Sequence, residues 1–387
     1  MTYINPIERC FQKLKAAGKT PLILHSGNPN QQGIHFPKDI LRNAYQKAIA
    51  EHSYQAEPRG LFSARQSISR YYQTKHCHIP AEQILLTSGT SESFAFLFRL
   101  FSSKKDEHIL APLPGYPLFD HIADYTQSQL RYYSLVPQSP HWNIDWKLLE
   151  QQWNPHTKAI IVISPHNPTG WVAKTEDWEK ISQLCIKYNT ALICDEVFSE
   201  FYFSQNSYTH AAQLNKAPLC FTLNGISKML ASPGLKLGWI GVTGNTTLVS
   251  EALEKLEIYN DTFLSANGLI QQALPELIQN SSDFLKGYCH QVQNQAEHAI
   301  KLLNSCPQIT VHQPEGGFYL MAQLSQKLDL SEEAWVIQLM QEAGVFVYPA
   351  YFYDYESEYI HFVLSFLTEE TKLKLGLEKI IAFIQKK

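Results

Sequence analysis

The strongest constraint on the fold is an alternation of short apolar runs with longer amphipathic stretches, from about residue 83 to residue 242. The runs are rich in Ile, Leu and Val, and one intervening segment around Trp178 and Ile181 repeats its apolar residues at helical spacing. Continuous apolar strands separated by helices indicate an α/β architecture, in which helices cover both faces of a mostly parallel sheet. The predicted strands are Gln83–Thr87, His108–Pro112, Ala159–Ile163, Ala191–Cys194, Leu219–Leu223 and Gly238–Val242.

The length and the changing pattern predict two domains. A chain of 387 residues exceeds one ordinary hydrophobic core. The final part has a different pattern, with a helix that Ser331 caps and Gly344 ends. We therefore predict a large domain over residues 46–285 and a smaller α+β domain over residues 286–387, to which an N-terminal segment, residues 1–45, contributes.

Composition excludes several classes of partner. The formal net charge is −4, and no Lys/Arg cluster forms a track for a phosphate backbone, so we expect no nucleic-acid partner. No apolar run is long enough to span a membrane, and no membrane partner is expected. The seven cysteines are scattered without a Cys-x-x-Cys pair, which favours reduced thiols in a cytoplasmic protein. No metal site is predicted.

Two of the predicted strand ends suit an aromatic, phosphorylated ligand. Ligands bind at the carboxyl ends of the strands in open parallel sheets. Ser88, Gly89 and Thr90 follow the first strand and begin a helix, which gives free N–H groups for a phosphate; a simple helix cap is the alternative. After the second strand, the turn Pro114-Gly115-Tyr116-Pro117 directs the Tyr116 ring towards the crevice, where it could stack on a planar ligand or belong to the core.

Three further strand ends carry polar side chains. Asn167 precedes Pro168 and is held extended, so its amide can reach a ligand oxygen, although the segment also fits a plain turn. Asp195 follows a buried strand, where a carboxylate is costly unless it has a cationic partner; a helix cap or a buried ion pair is the alternative. Lys228 ends Asn224-Gly225-Ile226-Ser227-Lys228, and burial there would lower its pKa and free a nucleophilic amine.

Together, these five strand ends match the chemistry of one cofactor, pyridoxal 5′-phosphate. Its phosphate suits the helix start at Gly89, and its ring suits a stack on Tyr116. The ring N–H would pair with Asp195, the phenolic oxygen would accept from Asn167, and the aldehyde would bond covalently to Lys228.

The motifs Asn167-Pro168-Thr169-Gly170, Asp195-Glu196 and Ser227-Lys228, in this order, resemble those of the class I/II aminotransferases, which have the fold type I architecture. The resemblance extends from Gly27 to Leu364-Ser365-Phe366. It implies a seven-stranded, mostly parallel sheet between helices, a smaller α+β domain, a homodimer, and cofactor contacts from Ser227. It also implies that Tyr54 reaches the phosphate in the neighbouring subunit.

Three positions depart from the family pattern. Lys236 stands where the family usually has a phosphate-binding arginine, so the positive charge is kept but the bidentate fork is lost. Phe198 replaces a tyrosine that donates to the phenolic oxygen. Val363 replaces the arginine that binds the substrate α-carboxylate. Either another cation, with His361 and Arg59 as candidates, binds that carboxylate, or the substrate has none there.

The resemblance implies an aminotransferase that moves an amino group from an amino acid or amine to a keto acid, with Lys228 as the catalytic base. A pyridoxal-phosphate lyase or decarboxylase is the alternative, because carboxylate binding normally fixes which bond reacts, and Val363 removes the usual carboxylate site. A non-catalytic ligand sensor is a third possibility, although no basic patch or added DNA-binding segment supports it.

Overall fold

The computed structural model describes residues 5–51, 56–102, 106–204, 207–214 and 216–386. The strands are β1 Leu22–Ile23, β2 Ile84–Thr87, β3 His108–Leu113, β4 Leu130–Gln138, β5 His141–Ile144, β6 Thr157–Ile163, β7 Ala191–Asp195, β8 Leu219–Gly225, β9 Gly238–Gly244, β10 Ile309–Val311, β11 Tyr319–Leu324, β12 Val345–Phe346, β13 Tyr348–Pro349 and β14 His361–Ser365. The α-helices are α1 Pro6–Ala16, α2 Lys38–Ala50, α3 Phe62–Thr74, α4 Thr90–Leu100, α5 Phe119–Thr126, α6 Trp146–Gln152, α7 Thr175–Tyr188, α8 Ala211–Leu214, α9 Ile226–Met229, α10 Thr246–Phe263, α11 Gly268–Gln279, α12 Ser282–Asn304, α13 Glu332–Gln338 and α14 Glu370–Ile384.

The central sheet has the order β2-β9-β8-β7-β6-β3-β4-β5. Strands β4, β3, β6, β7 and β8 pair in parallel, whereas β9 is antiparallel to both of its neighbours. All six strands predicted from the apolar runs are present, with ends shifted by at most two residues. The α/β prediction is therefore confirmed.

The sheet has eight strands among the described residues, one more than the resemblance implied. Strand β5 extends β4 as an antiparallel hairpin whose turn is Ser139-Pro140. Both strands lie at the edge of the sheet, where one face of a strand is often solvated and its residues are mixed in polarity. That mixture explains why the apolar runs identified neither strand.

Helices cover the two faces because successive strand residues point to opposite sides. In β7, Leu192 and Cys194 pack in the core beneath α7, while Ala191 and Ile193 pack in the core beneath α4 and α10. This two-sided burial requires apolar residues at every position of the strand, which is the continuous pattern seen in the sequence. The polar residues that follow each strand are thereby brought to one edge of the sheet.

A second sheet, of order β10-β11-β14-β13, is formed by the C-terminal part of the chain. The N-terminal segment joins this region, because β1 pairs in parallel with β12 and the Ser365 N–H donates to the Leu24 carbonyl at 2.6 Å. As a result, the loop that starts at Ser26 lies beside the C-terminal sheet. Among the described residues, none of the helices is both long enough and apolar enough to cross a membrane.

Candidate active site

A cavity of about 250 Å³ opens at the carboxyl ends of the central strands, where five predicted strand ends meet. This is the edge at which open α/β sheets bind ligands. Its lining residues are Gly89, Thr90, Tyr116, Ile163, Asn167, Asp195, Val197, Phe198, Gly225, Ser227, Lys228, Leu237 and Tyr319. The cavity thus brings together eight of the predicted site residues from five separate segments.

Lys228 lies on the short helix α9, directly after β8. Its Nζ donates to the Gly27 carbonyl at 2.8 Å and lies 5.8 Å from the centre of the Phe198 ring. Burial lowers the pKa of the amine from 10.5 to about 8, and the nearby Asp195 carboxylate opposes this shift. A substantial fraction of the amine is therefore neutral and nucleophilic at mildly alkaline pH.

Asp195 is the last residue of β7, and its carboxylate accepts from the Val197 N–H at 3.2 Å. Burial raises the pKa of this carboxyl to about 7, whereas the hydrogen bond from Val197 and the charge of Lys228 act in the other direction. A buried carboxylate of this kind is stabilised by a cationic N–H donor. The ring nitrogen of a protonated pyridine supplies such a donor.

Asn167 and Tyr116 form the part of the wall that a planar ligand would contact. The side-chain oxygen of Asn167 is buried and has no hydrogen-bond partner among the described residues. An unpaired buried amide is costly unless a ligand completes its hydrogen bonds. Burial raises the pKa of Tyr116, which therefore stays neutral.

The start of α4 and the residue before Lys228 also line the cavity. Gly89 has φ +137°, and Thr90 is the first residue of the helix. A Cβ atom at Gly238 would lie 2.9 Å from the Gly89 Cα, so two glycines allow β9 to approach this turn closely. Gly89, Thr90 and Ser227 thus form a narrow polar recess at a helix start, which suits a phosphate.

Three predicted residues do not line the cavity. The Ser88 N–H donates to the Glu92 carboxylate at 2.6 Å, so Ser88 belongs to the helix cap. Lys236 is exposed, although the next residue, Leu237, lines the cavity. Tyr54 lies outside the described residues.

The structure also adds residues that the sequence pattern did not identify. Tyr319 lines the cavity from β11, and the Gly27 carbonyl accepts from Lys228. A Cβ atom at Gly27 would overlap the Tyr319 hydroxyl, so only glycine allows these two segments to meet. The one available signal for Tyr319 was its position directly after Gly316-Gly317-Phe318.

Neither side chain suggested for binding a carboxylate lines the cavity. Arg59 pairs with Glu257 at 2.8 Å and donates to the Glu82 carbonyl, and it does not line the cavity. Burial lowers the pKa of His361, so its ring is neutral near pH 7. Val363 itself is fully buried in β14. The structure therefore places neither Arg59 nor His361 among the lining residues of the cavity.

The donor set fits pyridoxal phosphate. It offers a buried amine for the aldehyde, a buried carboxylate for the ring nitrogen, an unpaired amide, an aromatic ring and a polar recess at a helix start. Phe198 provides no hydroxyl to the phenolic oxygen, whereas the Asn167 amide, with its unpaired oxygen, is a polar group of the lining that could bond there. These protein groups alone make the cavity complementary to pyridoxal phosphate.

Comparisons with known proteins agree with this site. The family model described as aminotransferase class I and II matches residues 19–375. A glutamate-pyruvate aminotransferase, AlaA, of Haemophilus influenzae is 26% identical, and the match covers 98% of this chain and 94% of that protein. A tyrosine aminotransferase of Caenorhabditis elegans is 25% identical over 86% of this chain and 72% of that protein.

Solved structures share the same architecture. An alanine aminotransferase from Pyrococcus furiosus superposes with a TM-score of 0.92 at 23% identity, and covers 98% of this chain and 96% of its own. An aminotransferase from Escherichia coli gives a TM-score of 0.88 at 24% identity, with coverage of 98% and 95%. The chain belongs to the class I and II aminotransferases, a family of enzymes that use pyridoxal phosphate.

Proposed function

We propose that this aminotransferase holds pyridoxal phosphate in the cavity around Lys228. The observation that carries the proposal is the convergence of Lys228, Asp195, Asn167 and Tyr116 on one 250 Å³ space. Gly89, Thr90 and Ser227 would bind the phosphate, Asp195 the ring nitrogen and Asn167 the phenolic oxygen. Ser88 and Lys236 would support the phosphate end from outside the cavity, and Tyr54 would act in the neighbouring subunit.

The cofactor, when bound, supplies an aldehyde that captures amines and a ring that withdraws electrons from the carbon bearing the amine. Lys228 would hold the aldehyde, and its Nζ, once free, would serve as the base for the proton on the substrate carbon; its lowered pKa of about 8 suits a base near neutral pH. Asp195 would pair with the ring nitrogen and favour its protonated form.

The reaction proposed is amino transfer from an amine donor to a carbonyl acceptor. The named relatives are aminotransferases, and no comparison favours the lyase or decarboxylase alternative. The Lys228 Nζ lies 5.8 Å from the centre of the Phe198 ring and 5.9 Å from that of the Phe318 ring, and this one buried amine would both take up and return the proton.

Borohydride reduction tests the covalent attachment. We expect reduction of the cofactor-loaded protein to fix the cofactor on Lys228, where peptide mass mapping would find it. Lys228→Ala should yield no adduct, whereas Lys255→Ala, at an exposed position of α10, should give the same adduct as the natural protein. An adduct at another lysine, or none at all, would refute the proposal.

We further propose a cytoplasmic homodimer. Support for the dimer comes from the resemblance and from exposed apolar residues near the end of α10. The proposed division into residues 46–285 and residues 286–387 with 1–45 is supported by the separate C-terminal sheet and by the pairing of β1 with β12.

A further inference from the structure

Val363 is a buried residue of the C-terminal sheet, which borders the cavity through Tyr319. Tyr319 lines the cavity and pairs with Ser365, while Val363 lies two residues earlier in β14 and opposite Tyr348. Residues two apart in a strand, and direct partners across an antiparallel pair, share a face of the sheet. Val363 therefore faces the same side as Tyr319 and is fully buried there.

The described tyrosines on this side are uncharged. Tyr116 and Tyr319 line the cavity, and Tyr348 pairs with Val363 across the sheet. These three residues and Tyr353 are here called the tyrosine wall. Burial above all raises the pKa of Tyr353, and the other three tyrosines raise it too. Burial also raises the pKa of Tyr319, so both hydroxyls stay protonated.

A histidine next to the tyrosine wall is neutral as well. The His25 ring stacks on Tyr348 with centroids 3.8 Å apart. Burial lowers the pKa of His25 to about 4, and its buried Nε2 has no hydrogen-bond partner among the described residues. This nitrogen is free to bond a neutral polar group, but it carries no charge near neutral pH.

Among the described residues, no cation other than Lys228 lines the cavity to pair with a carboxylate. Lys228 is the one cationic side chain among the described lining residues, and the proposed function commits its amine to the cofactor and to proton transfer. Every arginine of the chain lies at or before residue 131, and none lines the cavity. Arg65, which is buried, donates to the Gly60 and Ala81 carbonyls.

A buried carboxylate without a cation is strongly disfavoured, whereas a neutral group in the same place keeps its contacts with the tyrosine wall. We infer that the amino donor of this enzyme is a primary amine whose reacting carbon bears an apolar substituent and no carboxylate. The same subsite receives the second substrate, so the acceptor is an aldehyde or ketone without an adjacent carboxylate. The inference rests on the proposed function and narrows its substrate class.

The reaction remains balanced with these substrates. The donor carbon loses two electrons and its C–N bond, and takes its carbonyl oxygen from water. The acceptor carbon gains two electrons and the amino group, and its oxygen leaves as water. No further oxidant or reductant is required, since the donor supplies the electrons that the acceptor takes.

Matched pairs of donors test the inference on the cofactor-loaded enzyme. Phenethylamine is compared with phenylalanine, and pentylamine with norleucine, because each pair differs only by the carboxylate. We expect the absorbance change of the bound cofactor to be at least about 100-fold faster with the amine, as an unpaired buried charge predicts. Equal or faster reaction of the amino acids would overturn the inference. It would do so even if a partner subunit supplied the cation that binds the carboxylate.

A binding measurement gives a readout that does not depend on turnover. Hydrocinnamyl alcohol and hydrocinnamate have similar shapes, but only the second is charged. Calorimetry on the cofactor-loaded enzyme should give at least about tenfold tighter binding of the alcohol. Tighter binding of the acid would contradict the inference even if no donor had reacted.

Substitutions at Val363 test the position itself. Val363→Arg should shift the preference towards phenylalanine and hydrocinnamate, whereas Val363→Leu should keep the preference for the neutral ligands. A folded Val363→Arg enzyme with an unchanged preference would count against the inference. If that variant does not fold, the matched ligand pairs on the natural enzyme still decide. Absence of the borohydride adduct at Lys228 would instead mean that the proposed function has failed.

Discussion

At the residue scale, the active site is governed by the burial of two charged groups near one another. Burial lowers the pKa of Lys228 to about 8 and raises that of Asp195 to about 7, so each group is brought near its neutral form. The mutual attraction of the two charges opposes both shifts. The amine is thereby prepared for attack on an aldehyde, and the carboxylate is stabilised once a cationic ring nitrogen lies beside it.

The first prediction concerns the pH dependence of cofactor attachment. The neutral amine attacks, and the pKa of Lys228 is lowered to about 8. The rate at which cofactor-free protein binds pyridoxal phosphate covalently should therefore rise about tenfold per pH unit below pH 8 and level off above it. Stopped-flow absorbance would measure this rate.

The Asp195→Asn variant tests whether the carboxylate of Asp195 raises the pKa of Lys228. The carboxylate raises the pKa of Lys228, so its removal should move the midpoint of the rate profile to lower pH. Asp177→Asn, at the start of α7, serves as the control and should leave the midpoint unchanged. A midpoint that moves to higher pH in Asp195→Asn would show that the two groups are not coupled as described.

The second prediction concerns the missing hydroxyl at Phe198. Phe198→Tyr should add a donor to the phenolic oxygen and stabilise its ionised form. The pH at which the bound cofactor changes its absorbance should fall by about one unit, the effect of one hydrogen bond to a charged oxygen. A spectrophotometric titration measures the midpoint. An unchanged midpoint in a folded variant would place the new hydroxyl away from the cofactor.

At the element scale, the strand ends are held in position by contacts between distant loops. Gly170 ends the turn after β6 with φ +72°, and its carbonyl accepts from the N–H groups of Glu315 and Gly316. A Cβ atom at Gly170 would lie 2.2 Å from the Pro314 Cβ. This contact connects the turn that carries Asn167 with the loop that leads into β11 and Tyr319.

The third prediction concerns this contact. Gly170→Ala should lower the free energy of unfolding by at least about 2 kcal/mol, because the residue has a left-handed conformation and a close backbone neighbour. It should also weaken cofactor binding, since Asn167 and Tyr319 are displaced together. Denaturant unfolding and a cofactor titration measure the two effects.

Gly287 provides the matched control for the same substitution. It lies on the exposed side of α12, and a Cβ atom there would meet nothing within 4 Å. Gly287→Ala should stabilise the protein by about 0.5–1 kcal/mol, since glycine is unfavourable inside a helix. If Gly170→Ala proved as harmless as Gly287→Ala, the loop contact would not hold the site together.

At the scale of the whole molecule, the surface is consistent with the proposed dimer. Ile258, Phe263 and Leu264 lie in and directly after α10 with 64%, 67% and 61% of their surface exposed. Large apolar side chains clustered in this way on a surface commonly mark an interface between protein chains.

The fourth prediction is therefore an assembly with twice the chain mass of 44.2 kDa. Light scattering should detect the dimer at micromolar concentration, and Phe263→Asp with Leu264→Asp should shift it towards monomer by placing charges in an apolar interface. Leu375→Asp, an exposed position on α14, is the control. A monomeric natural protein, or a dimer that the double substitution leaves intact, would refute this interface.

The sequence by itself determined the sheet and the residues at its strand ends. Continuous apolar runs bury both faces of a strand, so their ends could be located, and with them Asn167, Asp195 and Lys228. The sequence did not determine the far wall of the cavity. Tyr319 lines the cavity and the Gly27 carbonyl accepts from Lys228, but both come from segments remote from Lys228 in the chain, and only the docking of the C-terminal sheet brings them there. Local patterns report which residues are buried, but the partners of a buried residue are set by packing between distant segments.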